Sequence, residues 1–322
     1  MKIVSILAVH DGDADVLDTH VAFHLNAGVD LTIATDYTAQ GAASELLAPY
    51  ARDGFVLVAD HGDAPEREWR TATARLAATE HGADWIVSAD ADEFWWPRGE
   101  GLKDVLAAMP PRYGVVRGLV RVFPPRPGDE PFYERMTVRP SLLRPDDVPD
   151  PLRFALRPLY RADPRLVVDP EDGTEGGRRV PLRAWYPIEV LRFPFRSLEQ
   201  AEQRCALGLE PRSTVEADAA GAYREGRLGE WYEEQAGGGA HLVDDERLRT
   251  ALRASPAPGT PLVLRTPDIV DDASYAVECA AVGEVDLARL DRHLRELEER
   301  IGELEARFWP RVTRTLSRLV RR

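Results

Sequence analysis

The chain has 322 residues, 44% of them hydrophobic and 30% charged, with 41 basic against 55 acidic side chains and a net charge of −14. That length and apolar content suffice to bury a substantial core in one large or two ordinary domains. The acidic balance argues against nucleic acid as a partner, because phosphate neutralisation needs a basic face.

Ile3 to Val9 is a short apolar run closed by His10-Asp11-Gly12-Asp13, the pattern of a buried strand and too short for a signal peptide. No apolar run reaches the roughly 18 residues of a membrane span, so the expected compartment is the cytoplasm. A helix is predicted from Asp15 to Asn26, closed at Gly28, then a strand over Leu31 to Thr35 ending at Asp36. Ser44 to Ala51 reads as a helix, Phe55 to Ala59 as a strand ending at Asp60, Glu66 to His81 as a helix stopped by Gly82, and Trp85 to Ala89 as a strand ending at Asp90. Strands and helices that alternate with short connections predict an α/β fold, a mostly parallel doubly wound sheet flanked by helices. Ligands of such sheets sit outside the carboxyl ends of the strands, so Asp36, Asp60 and Asp90 are placed to converge on one crevice.

From about Val115 the texture changes, with Pro and Arg frequent; strands are predicted over 115–123, 137–143, 166–168 and 188–193, and helices return over 197–253. Cys205 and Cys279 stand alone, without a CxxC or a Cys/His cluster, so neither a zinc knuckle nor a disulfide framework is expected. Near the end, Leu287, Leu290, Leu294, Leu297, Ile301, Leu304 and Phe308 form a heptad stripe, and 307–322 carries six arginines and no acid. The stripe suits an amphipathic helix or a homodimeric coiled coil through 287–308. The basic, apolar-edged tail 307–322 suits peripheral contact with an anionic membrane. The expected organisation is a nucleotide-binding and catalytic domain over 1–200, a helical acceptor-side or lid region over 201–285, and the heptad helix with its basic tail over 286–322.

The sharpest feature is Asp90-Ala91-Asp92-Glu93-Phe94-Trp95-Trp96 directly after a predicted strand. In an extended segment residues i and i+2 point the same way, so Asp90 and Asp92 can offer two hard oxygen ligands to Mn²⁺ or Mg²⁺, which would neutralise a diphosphate. Glu93 adjoins that site, with bonding of the following turn as its structural role. Trp95 and Trp96 are candidates for a sugar-stacking platform, with core packing of one and exposure of the other the alternative. His20 and His24 share a helix face but lack the HExxH frame of a zinc pair. Arg67 and Arg70 could reach a phosphate from their helix, or simply face solvent.

The segment Ala83 to Trp95 resembles the metal-binding stretch of family 2 glycosyltransferases of the GT-A fold, in the subgroup whose motif reads D-x-D-E-F. His20 to Asp36, Ala184 to Gln200, Tyr223 to Leu228 and Asp245 to Arg249 resemble the same subgroup, so the likeness spans roughly 3–253. It implies a GT-A domain, with Asp36 on the base or ribose of a nucleotide and the loop of Asp11 lining the nucleotide pocket. The reaction implied is inverting transfer of a sugar from a nucleotide-diphosphate donor, a UDP-sugar favoured, to a glycan or surface polysaccharide precursor. Such a reaction needs a carboxylate base at the acceptor; Glu171, Asp172 and Glu175, in a Gly-rich loop after the acidic motif, are the candidates. The chain departs from the subgroup in having Tyr37 to Ala43 where Asn-x-Ser-x-Asp-Gly-Thr is typical. It also lacks two histidines, one of them replaced in Leu191-Arg192-Phe193-Pro194. Arg192 is therefore a candidate for substrate binding, since arginine can hold a diphosphate directly. A degenerate, non-catalytic binding protein and a metal-dependent nucleotidyltransferase are the rival readings.

Overall fold

The computed structural model describes residues 1–10, 12–36, 42–59, 64–98, 101–140, 156–168, 180–181, 187–206, 214–237 and 242–254. Asp11, Asp60, Glu171, Asp172, Glu175, the heptad stripe and the basic tail lie outside them.

The first half is built as its apolar runs predict. β1 (Ile3–Val9), α1 (Ala14–Asn26), β2 (Leu31–Asp36), α2 (Ala42–Arg52), β3 (Val56–Ala59), α3 (Glu66–Thr79) and β4 (Trp85–Asp90) follow in strict alternation. β3, β2, β1 and β4 are neighbours in that order and all parallel. β1 is buried on both faces, which is why it reads as an apolar run interrupted only by Ser5. Ile3, Leu7 and Val9 belong to the core that holds Val16, Leu17, Val21 and Phe23 of α1, whereas Val4 and Ile6 belong to a second core with Ala74 and Ala77 of α3. The period of two along β1 thus assigns α1 and α3 to opposite faces. Gly28 closes α1 at φ +104°, a backbone conformation that a side chain would strain.

The second half departs from the expected pattern. β5 (Glu93–Pro97), α4 (Leu102–Ala107), β6 (Tyr113–Val122), α5 (Phe132–Arg135), β7 (Val138–Pro140), β8 (Leu156–Arg161), β9 (Val180–Pro181) and β10 (Ile188–Arg192) precede α6 (Leu198–Ala206), α7 (Thr214–Arg224), α8 (Leu228–Gly237), β11 (Leu242–Asp244) and α9 (Arg247–Ala254). β4, β8, β6, β10 and β5 continue the nine-stranded sheet, with β9 beside β6. β8 runs antiparallel to both β4 and β6, β10 is parallel to β6, and β5 is antiparallel to β10. The strand expected over 166–168 is absent as regular structure, and β5 and β8 are strands where none was expected. β11 pairs with β7, which ties the chain beyond residue 201 back to the middle of the molecule.

β4 and β5 stand at opposite ends of this second run of strands, yet only the turn Ala91-Asp92 joins them. Three residue steps span at most about 10 Å, so the sheet must curl until the end of β4 meets the start of β5. β5 lines the core. Phe94, Trp95 and Trp96 are each at most 1% exposed, which corrects the expectation of a sugar-stacking platform. Trp96 stacks on Phe23 at 6.1 Å, and Trp95 crosses Gly118 of β6. A Cβ on Gly118 would stand 2.7 Å from Val190 Cγ2 and 3.2 Å from Trp95 Cζ3. Gly118→Ala is therefore expected to destabilise the fold by about 1–3 kcal/mol, the cost of overpacking a tight core, read as a lowered urea midpoint.

Candidate functional site

In an open α/β sheet the crevice lies where the strand order reverses. Here the chain runs outward from β1 to β2 and β3, then returns to place β4 on the other side of β1. That switch point is the carboxyl end of β1 and β4, with Ala8 opposite Asp90 and Val9 opposite Asp36 in register. The structure thus brings Asp36, by its backbone position, and Asp90 to one edge of the sheet.

Asp90, Asp92 and Glu93 gather at that edge, each buried, with one ligand oxygen apiece all within 4.8 Å of one another. The extended geometry expected for Asp90 and Asp92 does not occur; Ala91 and Asp92 form the turn, and the turn itself draws the carboxylates together. Glu93 ties that turn, its Oε2 accepting from the backbone N–H of Asp90 at 3.3 Å. The turn is also held from β10, where Phe193 N–H donates to the Asp92 carbonyl at 2.9 Å.

Three arginines face the three carboxylates. Arg70 of α3 donates from Nη2 to Asp90 Oδ1 at 2.6 Å and from Nη1 to Ser88 Oγ at 2.9 Å. Arg157 of β8 donates from Nε to Glu93 Oε1 at 2.6 Å and from Nη2 to Asp90 Oδ2 at 3.2 Å. Arg192 of β10 lies opposite Glu93 in register, with Nε 3.6 Å from Asp92 Oδ2 and Nη2 3.4 Å from Glu216 Oε1 of α7. Burial opposes the charge of Arg192, but Asp92, Glu216, Glu93 and Asp90 together raise its pKa. Of these residues the sequence singled out Arg192 and, as one of two options, Arg70, which is buried rather than solvent-facing. Arg157 was missed because its strand was missed.

The neighbouring loop after β1 is fixed by Arg196. This buried side chain reaches Asp15 Oδ2 at 2.9 Å, Asp13 Oδ1 at 3.2 Å and the carbonyl of Phe193 at 3.0 Å. Gln200 adds a bond to the Gly12 carbonyl at 2.8 Å. The β1 loop and the β10 corner are therefore one unit beside the acidic turn.

Beneath the turn lie His20 and His24, ring centroids 4.1 Å apart and both buried. His24 Nε2 accepts from the Trp95 backbone N–H at 3.3 Å, and its Nδ1 lies 2.8 Å from the His20 carbonyl; this network assigns the proton to Nδ1. Burial lowers the His20 pKa well below its usual value, helped by His24, while the Ala91 backbone, Asp92 and Asp90 pull the other way. Burial also takes His24 down to about 4, opposed by its bond to His20.

A second charge network stands behind the site. Glu189 of β10 accepts from Arg121 Nε at 2.6 Å and Arg98 Nη2 at 3.1 Å, and pairs with Arg247 of α9. Asp245 takes Arg139 Nε and Arg247 Nη2, each at 2.7 Å. Burial pushes both carboxyls up, but the arginines prevail: Glu189 lies well below the carboxylate range and Asp245 at about 2. Charged residues inside predicted strands, Arg121 and Glu189, were the available signal for it.

The expected Mn²⁺ or Mg²⁺ can be tested against this donor set. The oxygens are hard, clustered and of the right type. Most of their charge, however, is already offset: with Glu216, four buried carboxylates face the guanidiniums of Arg70, Arg157 and Arg192, which cannot deprotonate, and one net negative charge is left. The site fits a divalent ion in ligand type and not in charge.

Two outcomes follow. Glu189→Gln leaves buried guanidiniums without their shared carboxylate and is expected to cost about 3–5 kcal/mol in unfolding free energy. His24 is neutral when folded and takes up a proton below about pH 6.5 when unfolded, so its contribution is complete above that pH. It is lost as pH falls toward about 4, a change of roughly 3 kcal/mol. Urea unfolding between about pH 7 and about pH 4 should show a shallower loss in His24→Gln than in the parent.

No family model matches the chain, and no curated protein matches it. Among solved structures it is similar to S. aureus TarS 1–349 in complex with UDP-GlcNAc, at 11% identity over 73% of this chain and 72% of that one, with a TM-score of 0.35. It is similar to the mannosyltransferase PcManGT from Pyrobaculum calidifontis in complex with GDP-Man and Mn²⁺, at 13% identity over 87% and 85%, with a TM-score of 0.35. A 4-diphosphocytidyl-2C-methyl-D-erythritol synthase follows at 13% identity over 50% and 76%, with a TM-score of 0.31. At these scores the superpositions carry no weight on function.

Proposed function

We propose that this chain is a glycosyltransferase of the GT-A kind, which moves a sugar from a nucleoside-diphosphate donor, a UDP-sugar favoured, to a glycan or surface polysaccharide precursor. The observation that carries the reading is the placement of Asp90, Asp92 and Glu93 at the switch point of a parallel sheet, walled by arginines and level with the end of β2. Nucleotides bind at such crevices, and clustered carboxylates and guanidiniums are the groups that orient a diphosphate and balance its charge.

In the inverting reaction the acceptor oxygen attacks the anomeric carbon as the bond from that carbon to the phosphate oxygen breaks. The nucleoside diphosphate leaves with the electron pair, and the acceptor proton passes to a carboxylate. Glu171, Asp172 or Glu175 takes that proton in this reading, and Asp36 binds the nucleoside. Charge on the leaving diphosphate must be balanced. The sequence expectation assigns that task to Mn²⁺ or Mg²⁺ held by Asp90 and Asp92, whereas the charge pairing favours arginine. The reading places the enzyme in the cytoplasm, with 307–322 at the inner membrane face beside a lipid-linked acceptor. Among the described residues no helix is long and apolar enough to cross a membrane.

Calorimetric titration with UDP and GDP tests the donor assignment. The expected outcome is binding of UDP by the parent, weakened roughly tenfold or more in Asp36→Ala, the size of a lost hydrogen bond to a charged acceptor. Binding of neither nucleotide would remove the assignment. Release of pyrophosphate, rather than a nucleoside diphosphate, from a nucleotide substrate would favour the nucleotidyltransferase reading.

A further inference from the structure

We propose that Arg192 is the resident cation of this site, and that a nucleoside diphosphate binds here without a divalent metal. The inference deepens the donor-binding reading above and rests on it.

Arg192 is rooted in a strand that is flanked on both sides. It ends β10, which is hydrogen-bonded on one side to β6 and on the other to β5, opposite Val122 and Glu93. A residue pinned between two strands cannot carry its backbone away from the site. Its side chain is 3% exposed and lies between Asp92 at 3.6 Å and Glu216 at 3.4 Å, two carboxylates from different parts of the chain. Their combined field, with that of Glu93 and Asp90, favours the charged form. Arg192 thus places a fixed positive charge against the Asp92 corner of the acidic cluster.

The other two carboxylates are served in the same way. Asp90 is held by Arg70 and Arg157, and Glu93 by Arg157. A divalent ion drawn to these oxygens would stand a few ångströms from three guanidiniums, each repelling it in a site with little water to screen the repulsion. An entering ion would also have to reach a pair that is closed to solvent on both sides, with Asp92 2% and Arg192 3% exposed. A guanidinium supplies the electrostatic service that the ion would bring. It is permanently charged, and here it acts through its field, since Nε and Nη2 face Asp92 and Glu216 and the side chain is 3% exposed.

Two measurements on the full chain decide the matter. Mn²⁺ alone is titrated into the parent, Arg192→Gln and Arg192→Lys, and free Mn²⁺ is read by electron paramagnetic resonance. The expected result is weak binding in the parent and in Arg192→Lys, and a gain of at least about tenfold in Arg192→Gln, as befits loss of one unit charge beside the cation. Tight Mn²⁺ binding by the parent, or equal affinity in Arg192→Gln and the parent, would overturn the proposal. UDP and GDP are then titrated into the parent with EDTA and with Mn²⁺. Equal nucleotide affinity within about threefold supports it, and binding that needs Mn²⁺ overturns it. Should Arg192→Gln fail to fold, the parent titrations still decide. Should neither nucleotide bind, the donor reading falls, while the Mn²⁺ comparison still tests whether Arg192 fills the place of a metal ion.

Discussion

A charge buried in a protein must be matched by another charge, and the second half of this sheet is organised by that requirement. Glu93 and Glu189 are wholly buried, and Asp90, Asp92, Arg70, Arg121, Arg139, Arg192, Arg196 and Arg247 nearly so. Removing one member of such a pair leaves an ion that the interior cannot solvate, so each partner fixes the other far more tightly than a surface ion pair could. The pairs described here join residues distant in sequence: α3 to β4, β8 to β5, β10 to α7, and α9 to β10. They act as stitches between these elements.

The same pairing gives the candidate site its character. The parallel half provides a position, the carboxyl ends of β1, β2 and β4, where a nucleotide is accommodated by topology alone. The antiparallel half provides chemistry, by curling until β8 and β10 deliver arginines to the turn after β4. The outcome is a polar floor whose charges are largely offset from within and whose walls, the Arg196 clamp on the β1 loop and the His24 bond to Trp95, leave the turn little freedom. A preorganised arrangement of this kind does not need to reorganise when charge develops on a ligand.

The parallel half was legible in the sequence because each of its signals is local. Apolar runs ended by Asp or Gly located β1 to β4 with their helices to within a few residues, and Gly28 and Gly82 marked helix ends. The later strands were hidden for physical reasons. β5 carries Trp95 and Trp96 shortly after the acids Asp90, Asp92 and Glu93, so local composition pointed to a surface platform, while burial beneath α1 and against Gly118 depends on tertiary packing. β8 begins Leu156-Arg157-Pro158, where Arg and Pro argue against a central strand, yet Arg157 is neutralised by partners near residue 90. The acidic motif was recognisable from its residues, but the guanidiniums that complete it come from three separate elements, and no spacing rule connects them. Glu171, Asp172, Glu175, Asp11 and Asp60 lie beyond the described residues, and their roles stay with the proposed reaction.

The turn Ala91-Asp92 also has a consequence for how the molecule is made. During synthesis β4 can pair at once with β1, which precedes it, whereas the strand that follows the turn must wait for β10, encoded much later in the chain. Until then Asp92 has no arginine beside it, because Arg192 has not arrived, whereas Arg70 precedes Asp90 in the chain and Arg157 comes with β8. Closure of the sheet and assembly of the site are therefore a single late event. A chain arrested before β10 would carry a formed nucleotide-binding half and no functional centre.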